Sequence, residues 1–341
     1  MKNFKLSISA AFCILSAFLT GCAETEVVGI NETENETGQE IILNISAPDA
    51  LKTRAGSDHK LRFTAKLFKD RYNSSQGNQF LEKKQGVATD GECTIVFSVP
   101  QGDYSVLLFA DYIPNTTEAD SKGFYEDAYY DTSSNDEIIQ MIAFTTNSSD
   151  HTLLQKHCIN NDNYDCFSAY TGIINKTDMK YEKDFVLERA VAKVRFVSTT
   201  PLPAEVGEIN FSKFYCFDIF KQFYETVTCE KQDNYMRLGS HVLQGMSNKE
   251  ENEIFYFYTL AAKNKENLGN IEFKINFTDG TDPRTISIDQ AISVTKNRIT
   301  TVRGAFLQDE QEEVGDIILH LSTSQDWENE DPATSEENES F

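Results

Sequence analysis

Few residues in this 341-residue chain can do covalent or metal chemistry, and they are widely spaced: five histidines and seven cysteines. His157-Cys158 with Cys166 is the densest set of soft ligands, with His151 as the further histidine nearby. Tetrahedral zinc needs a fourth ligand at close spacing, so no metal site is assigned. Asp111, Glu126, Asp127 and Asp131 offer carboxylates. Calcium takes six to eight oxygens, and nothing here has the EF-hand spacing, so these acids read as a solvated loop. No HExxH, paired CxxC, Walker glycine loop or GxSxG occurs. A Ser/His/Asp set assembles in space rather than in sequence, but no elbow motif marks a nucleophile. The chain is therefore not read as an enzyme, and no cofactor is expected.

One cysteine is placed for a different reaction. Lys2 and Lys5 precede an uncharged, mostly apolar run from Leu6 to Phe18. These are the n-region and h-region of a secretory signal. Leu19-Thr20-Gly21-Cys22 follows, then an acidic stretch beginning Ala23-Glu24-Thr25-Glu26. The segment resembles the lipobox of bacterial lipoproteins, in which the cysteine after the cut carries lipid, palmitate included, on sulfur and amine. On that reading residues 1–21 are a signal peptide and Cys22 is the lipidated first mature residue. The alternative is a signal-anchor helix. Residues 6–23 are 18 uncharged residues, the lower edge of a bilayer span. Ser7, Ser9, Ser16, Thr20 and Gly21 dilute them. Each buried CH₂ contributes about 0.8 kcal/mol, and two or more chains hold where one does not.

The elements that must present this chemistry are strands. Phe 24 and Tyr 14 against a single Trp make the chain rich in β-favouring aromatics. Leu61–Leu67 and Cys93–Val99 alternate at period two, and Tyr104–Ala110 follows Gly102-Asp103. Further strands are predicted at 190–198, 208–217, 223–229, 254–261, 270–277, 285–293, 298–306 and 316–321. One apolar face per strand marks half-buried antiparallel sheets, and many short strands with polar turns make sandwiches. Residues 112–135 and 145–183 break the pattern and read as long loops of the kind that bind. Tyr125, Tyr129 and Tyr130 in the first are the candidate ligand loop. Phe255-Tyr256-Phe257-Tyr258 reads as phenylalanines in the core and tyrosines on the half-exposed face.

Charge and cysteine count limit the partners. The formal net charge is −23, and losing residues 1–21, with two lysines and no acid, takes it to −25. Such a chain repels nucleic acid and anionic lipid. After Cys13 and Cys22, five cysteines remain: Cys93, Cys158, Cys166, Cys216 and Cys229. An odd count argues against a complete disulfide framework. Cys216 and Cys229 face each other across a predicted hairpin, so a bridge and two buried thiols are both open. Residues 22–40 form an acidic tether, 41–183 an N-terminal domain, 184–327 a C-terminal domain and 328–341 a disordered acidic tail.

Five features together resemble the Bacteroidales-type fimbrillin (FimA-like) lipoproteins and their uncharacterised relatives. They are the lipobox at Cys22, the acidic tether, and the Lys52-Thr53-Arg54-Ala55 step. The others are Val99-Pro100-x-Gly102-x-Tyr104 leading into Leu107–Tyr112, and Leu187-x-Arg189-Ala190-Val191-Ala192-Lys193-Val194. The last is the most specific. The resemblance covers roughly residues 38–327.

The resemblance implies an all-β fold of two tandem transthyretin-like antiparallel β-sandwich domains. It also implies cleavage after an arginine, here Arg54. Glu40–Ser46 would then leave, with Ile41, Leu43 and Ile45 facing in. A donor strand, here Asp316–Leu321 with Ile317, Leu319 and Leu321, would fill the next subunit's groove. That is β-augmentation. The acidic tail after Trp327 would have to pass out of any groove, which fits an anchor, a tip or a standalone protein. The function expected is a surface adhesin or fimbrial component, lipid-anchored on the outer membrane and facing outward. Its partners would be other fimbrial subunits, host protein or glycan. A glycan-binding lipoprotein of a polysaccharide uptake system is the alternative, though such platforms usually display several tryptophans.

Overall fold

The structure is a computed structural model. It describes residues 39–47, 58–69, 79–88, 91–133, 140–144, 159–200, 203–213, 216–217, 219–223, 226–230, 241–242, 252–306 and 320–323. Cys22, Arg54, Ile317, Leu319, the tether before Gln39 and the acidic tail lie outside them.

The described chain is almost wholly strands. The first half holds β1 (Glu40–Ser46), β2 (His59–Lys69), β3 (Gln79–Val87), β4 (Glu92–Ser98), β5 (Gly102–Pro114), β6 (Tyr130–Asp131) and β7 (Gln140–Phe144). It continues with a 3-10 turn (Asp162–Tyr164), β8 (Cys166–Tyr170), β9 (Ile174–Lys176), β10 (Tyr181–Val186) and β11 (Glu188–Arg189). The second half holds β12 (Val191–Ser198), β13 (Val206–Lys213), β14 (Ile219–Phe223), β15 (Thr226–Glu230), β16 (His241–Val242) and β17 (Glu253–Leu260). It ends with β18 (Glu266–Asn267), β19 (Ile271–Phe277), β20 (Arg284–Ile288), β21 (Ser293–Val294), β22 (Ile299–Gly304) and β23 (His320–Thr323).

The two halves share one connectivity. In the first, β10-β1-β4 form one sheet and β11-β8-β5-β2-β3 another. In the second, β22-β12-β17 and β20-β19-β13-β16 repeat those orders, with β23 added outside β22. Seven strands correspond in chain order: β1, β2, β3, β4, β5, β8 and β10 with β12, β13, β16, β17, β19, β20 and β22. In both halves the first and last of the seven run parallel, β1 with β10 and β12 with β22. The other strand pairs among the described residues run antiparallel, as in the expected fold class. The first strand of each half enters its sheet between strands of opposite direction. The insertions of the two halves join: β7 of the first pairs with β14 of the second, in the sheet β15-β14-β7-β6.

Two cores form where apolar faces meet. One gathers Ile41, Leu43, Ile45, Phe63, Phe97 and Leu108 with their neighbours. The other centres on Phe196, Phe211, Phe255 and Phe273 and reaches Phe109, Tyr130 and Tyr164 of the first half. Thr37–Phe341 is one compact unit. β2 and β5 were expected to be half-buried, but both are buried on both faces. Leu61, Phe63, Ala65 and Leu67 line the first core, while Arg62, Thr64 and Lys66 point the other way and are also buried.

Other expectations change in detail. Residues 145–183 are not one long loop, since β8, β9 and the first half of β10 lie there. The predicted division at 183/184 falls inside β10, and the chain passes to the second core through Leu187–Ala190. β3 carries charged and exposed residues and showed no apolar alternation to mark it. Cys216 and Cys229 are buried and are not bridged to each other, and Cys229 faces Phe220 across the hairpin rather than Cys216.

Candidate functional site

β1 is the central strand of its sheet. It pairs antiparallel with β4 (Ile41 with Phe97, Leu43 with Ile95) and parallel with β10 (Ile41 with Tyr181, Ile45 with Phe185). Backbone bonds continue past both ends: Val99 N–H donates to Gln39 at 2.9 Å, and Leu187 N–H donates to Ser46 at 2.8 Å. Ile41 and Leu43 are fully buried and Ile45 is 2% exposed. Full burial of such side chains is worth about 1.5–3 kcal/mol each. Asn44, on the outer face, donates to Asp184 at 3.0 Å and accepts from Thr94 at 3.1 Å. Removing β1 would leave a slot between β4 and β10 with three apolar pockets. Of the donor residues expected from the sequence, Leu321 pairs with Val302 and is half-buried against the second core.

The aromatic loop is not an open platform. Tyr130 is fully buried, and its hydroxyl donates to the Tyr164 carbonyl at 2.6 Å. The residue starts β6 and packs in the second core. Tyr125 and Tyr129 are half-buried. The Lys60 ammonium lies 5.2 Å from the Tyr125 ring centroid. The Tyr129 hydroxyl meets His59 Nε2 at 2.7 Å and accepts from Asn163 at 3.2 Å. The other ring nitrogen of His59 meets Asp58 at 2.8 Å, and that contact holds the exposed Asp58 carboxyl below its ordinary value.

What holds residues 115–133 over the sheet is a buried charge cluster rather than a solvated acidic loop. Arg62 donates to both oxygens of Asp111, at 2.9 and 2.7 Å, and to Asp127 at 2.6 Å. Burial works against the Arg62 charge, but Asp111 and Asp127 outweigh it and hold the guanidinium above its ordinary value. Burial pushes Asp111 up to about 6, against the pull of Arg62. Burial also pushes Lys66 down to about 8, and the neighbouring Lys83 charge adds to this. Gln85 donates to Thr64 at 3.0 Å and accepts from the Tyr125 N–H at 2.9 Å. Asp131 is not part of the Arg62 cluster and accepts from Ser133. Glu126 is exposed. Among the described residues no group of three or more His, Cys, Asp or Glu is placed to hold a metal ion.

The most specific sequence segment has a structural use. Arg189 donates to Asp165 at 2.9 Å, both buried, with its guanidinium carbon 5.4 Å from the Phe167 ring centroid. The Lys193 ammonium is 4.0 Å from the Tyr256 centroid and 3.7 Å from Asp162. Tyr258, expected on a half-exposed face, is buried and donates to Asp162 at 2.8 Å. The segment thus ties the turn at 159–166 to β17. Sequence reasoning missed Arg62 and Asp165. The signal for the first is Asp111 inside the apolar run Leu107–Ile113, a buried acid that calls for a cation.

All-β sandwiches with a buried first strand and an acidic leading segment define the class, and the family follows from the sequence. The chain belongs to a family of unknown function, DUF6562, whose model matches residues 31–339. No curated protein sequence matches it. Among solved structures it is similar to the C-terminally truncated tip fimbrial protein Mfa3 of Porphyromonas gingivalis. Identity is 12%, covering 83% of this chain and 98% of that one, with a TM-score of 0.43. It is also similar to a fimbrial assembly protein of Parabacteroides distasonis, at 12% identity, 84% and 98% coverage and a TM-score of 0.42. A third is a Bacteroides thetaiotaomicron protein described as a candidate polysaccharide-binding protein, at 10% identity, 80% and 99% coverage and a TM-score of 0.39.

Proposed function

We propose that the chain is a lipid-anchored cell-surface protein of fimbrillin type, an adhesin or fimbrial component that assembles by β-strand addition. Cys22 carries the lipid on the exported precursor, the acidic tether holds the body off the outer membrane until the chain is cut after Arg54, and two sandwich domains meet at Leu187–Ala190. The observation that carries the reading is the position of β1. It is a central strand with a fully buried apolar face, and it joins β2 through the segment that contains Arg54. Cleavage after Arg54 would leave Ile41, Leu43 and Ile45 held by packing and ladder hydrogen bonds alone. A strand from another subunit could then take their place, its alternate side chains filling the same pockets.

Strand-linked assemblies are held by a whole ladder of backbone bonds and survive detergent until heated. Unboiled surface extracts should therefore run as a ladder on a gel and collapse to one band on boiling. An Arg54→Ala chain should keep its full processed size and give no ladder. Monomer in unboiled wild-type extracts would sink the reading.

A further inference from the structure

The seven-strand repeat differs between the halves at one edge. In the second half β22 has partners on both sides, β12 parallel and β23 antiparallel, with Val302 opposite Leu321. β10 holds the matching place in the first half. It runs parallel to β1 and, among the described residues, no strand pairs with its outer side. An unpaired strand edge presents a row of backbone donors and acceptors. Among the described residues, then, the two matching edges differ: β23 covers that of β22 and no strand covers that of β10.

We infer that the outer edge of β10 docks β23 of a second copy of this chain, antiparallel to β10 and with β1 left in place. The inference rests on the reading that the chain assembles by strand addition, and it names a second acceptor edge that needs no proteolysis. β10 is six residues long and β23 four, so the ladder fits within the edge. Glu182, Lys183 and Asp184 are exposed along β10. Charges on an edge repel flat apolar strands. β23 reads His-Leu-Ser-Thr. Its hydroxyls can lie beside carboxylates and an ammonium without burying an unpaired charge, and Leu321 can lie toward Val186, which is 61% exposed. Acceptor and donor are different surfaces of the chain, so the contact is head-to-tail rather than closed, and with four residues in β23 it is too short to survive detergent, so Arg54→Ala still gives no ladder on a gel.

The test uses the full chain carrying Arg54→Ala, a synthetic peptide of residues 316–325 and a scrambled control. Amide hydrogen exchange is followed as peptide is added. The inference predicts at least tenfold slower exchange over residues 181–186, unchanged exchange over 41–45 and no effect of the scrambled peptide. Faster exchange at 41–45, as the peptide displaces β1, would overturn the β10 edge while leaving strand addition standing. Absence of binding would overturn the β10 edge, and the gel ladder would then judge the wider reading by itself.

Discussion

Arg62 and Asp111 sit opposite each other on β2 and β5, joined by two hydrogen bonds at 2.9 and 2.7 Å, with neither side chain exposed. The pair lies on the face of the sheet turned away from the first core. It fixes the loop above it through Asp127 and the Tyr125 carbonyl.

Breaking a buried pair by removing one partner costs about 3–5 kcal/mol, because a charge is left without compensation. Arg62→Met should therefore lower the unfolding free energy by about that much in urea titrations. Arg62→Met with Asp111→Leu should recover part of it. A double variant no better than the single would show that the pair is not the unit that matters.

The raised Asp111 carboxyl also sets a pH dependence. Its value is about 6 in the folded protein against an ordinary 3.8. Between these values the folded state holds a proton that the unfolded state has lost. The stability it contributes is fully present below about 4 and is lost as pH rises through about 6. Its size is of order 2–3 kcal/mol. Thermal unfolding from pH 4 to 7 should show this fall in the wild type and a flatter profile in Asp111→Asn. Parallel profiles would contradict it.

Gly86 stands against Cys93, and a Cβ placed on it would come within 2.7 Å of the Cys93 sulfur. Overpacking of this kind costs about 1–3 kcal/mol. Gly86→Ala should destabilise by that amount, and Gly86→Ala with Cys93→Ala should restore most of it. Additive losses in the double variant would count against the clash.

Arg189→Met should leave Asp165 buried beside no guanidinium, with a loss of about 3–5 kcal/mol. The readout that separates this from general damage is local. Exchange at residues 159–166 should quicken more than exchange in β19 and β20. A uniform change across the chain would argue against a specific tie.

The strands were legible where apolar and polar residues alternate, as in β4 and β19, while β1 was reached only through the family resemblance. Period two was misleading for β2 and β5, where Arg62, Lys66 and Asp111 looked solvent-facing but are buried. The one mark of the charge pair is Asp111 inside the apolar run Leu107–Ile113, and that mark does not name its partner on β2. Tyr130 illustrates the same limit: nothing in Tyr129-Tyr130-Asp131 says which ring turns inward. β8 was hidden by its shortness, and β10 by its polar sequence, because Tyr181–Val186 owes its place to pairing with β1 rather than to its own alternation. Ile41, Leu43 and Ile45 were named through the family resemblance, and the structure buries all three.

The central claim is that β1 is cut free of the rest of the chain on the cell surface. The measurement that tests it most directly is the intact mass and N-terminal sequence of the assembled protein sheared from cells. The account predicts a chain that begins at Ala55, just after Arg54. An assembled chain that begins at acylated Cys22 would contradict it.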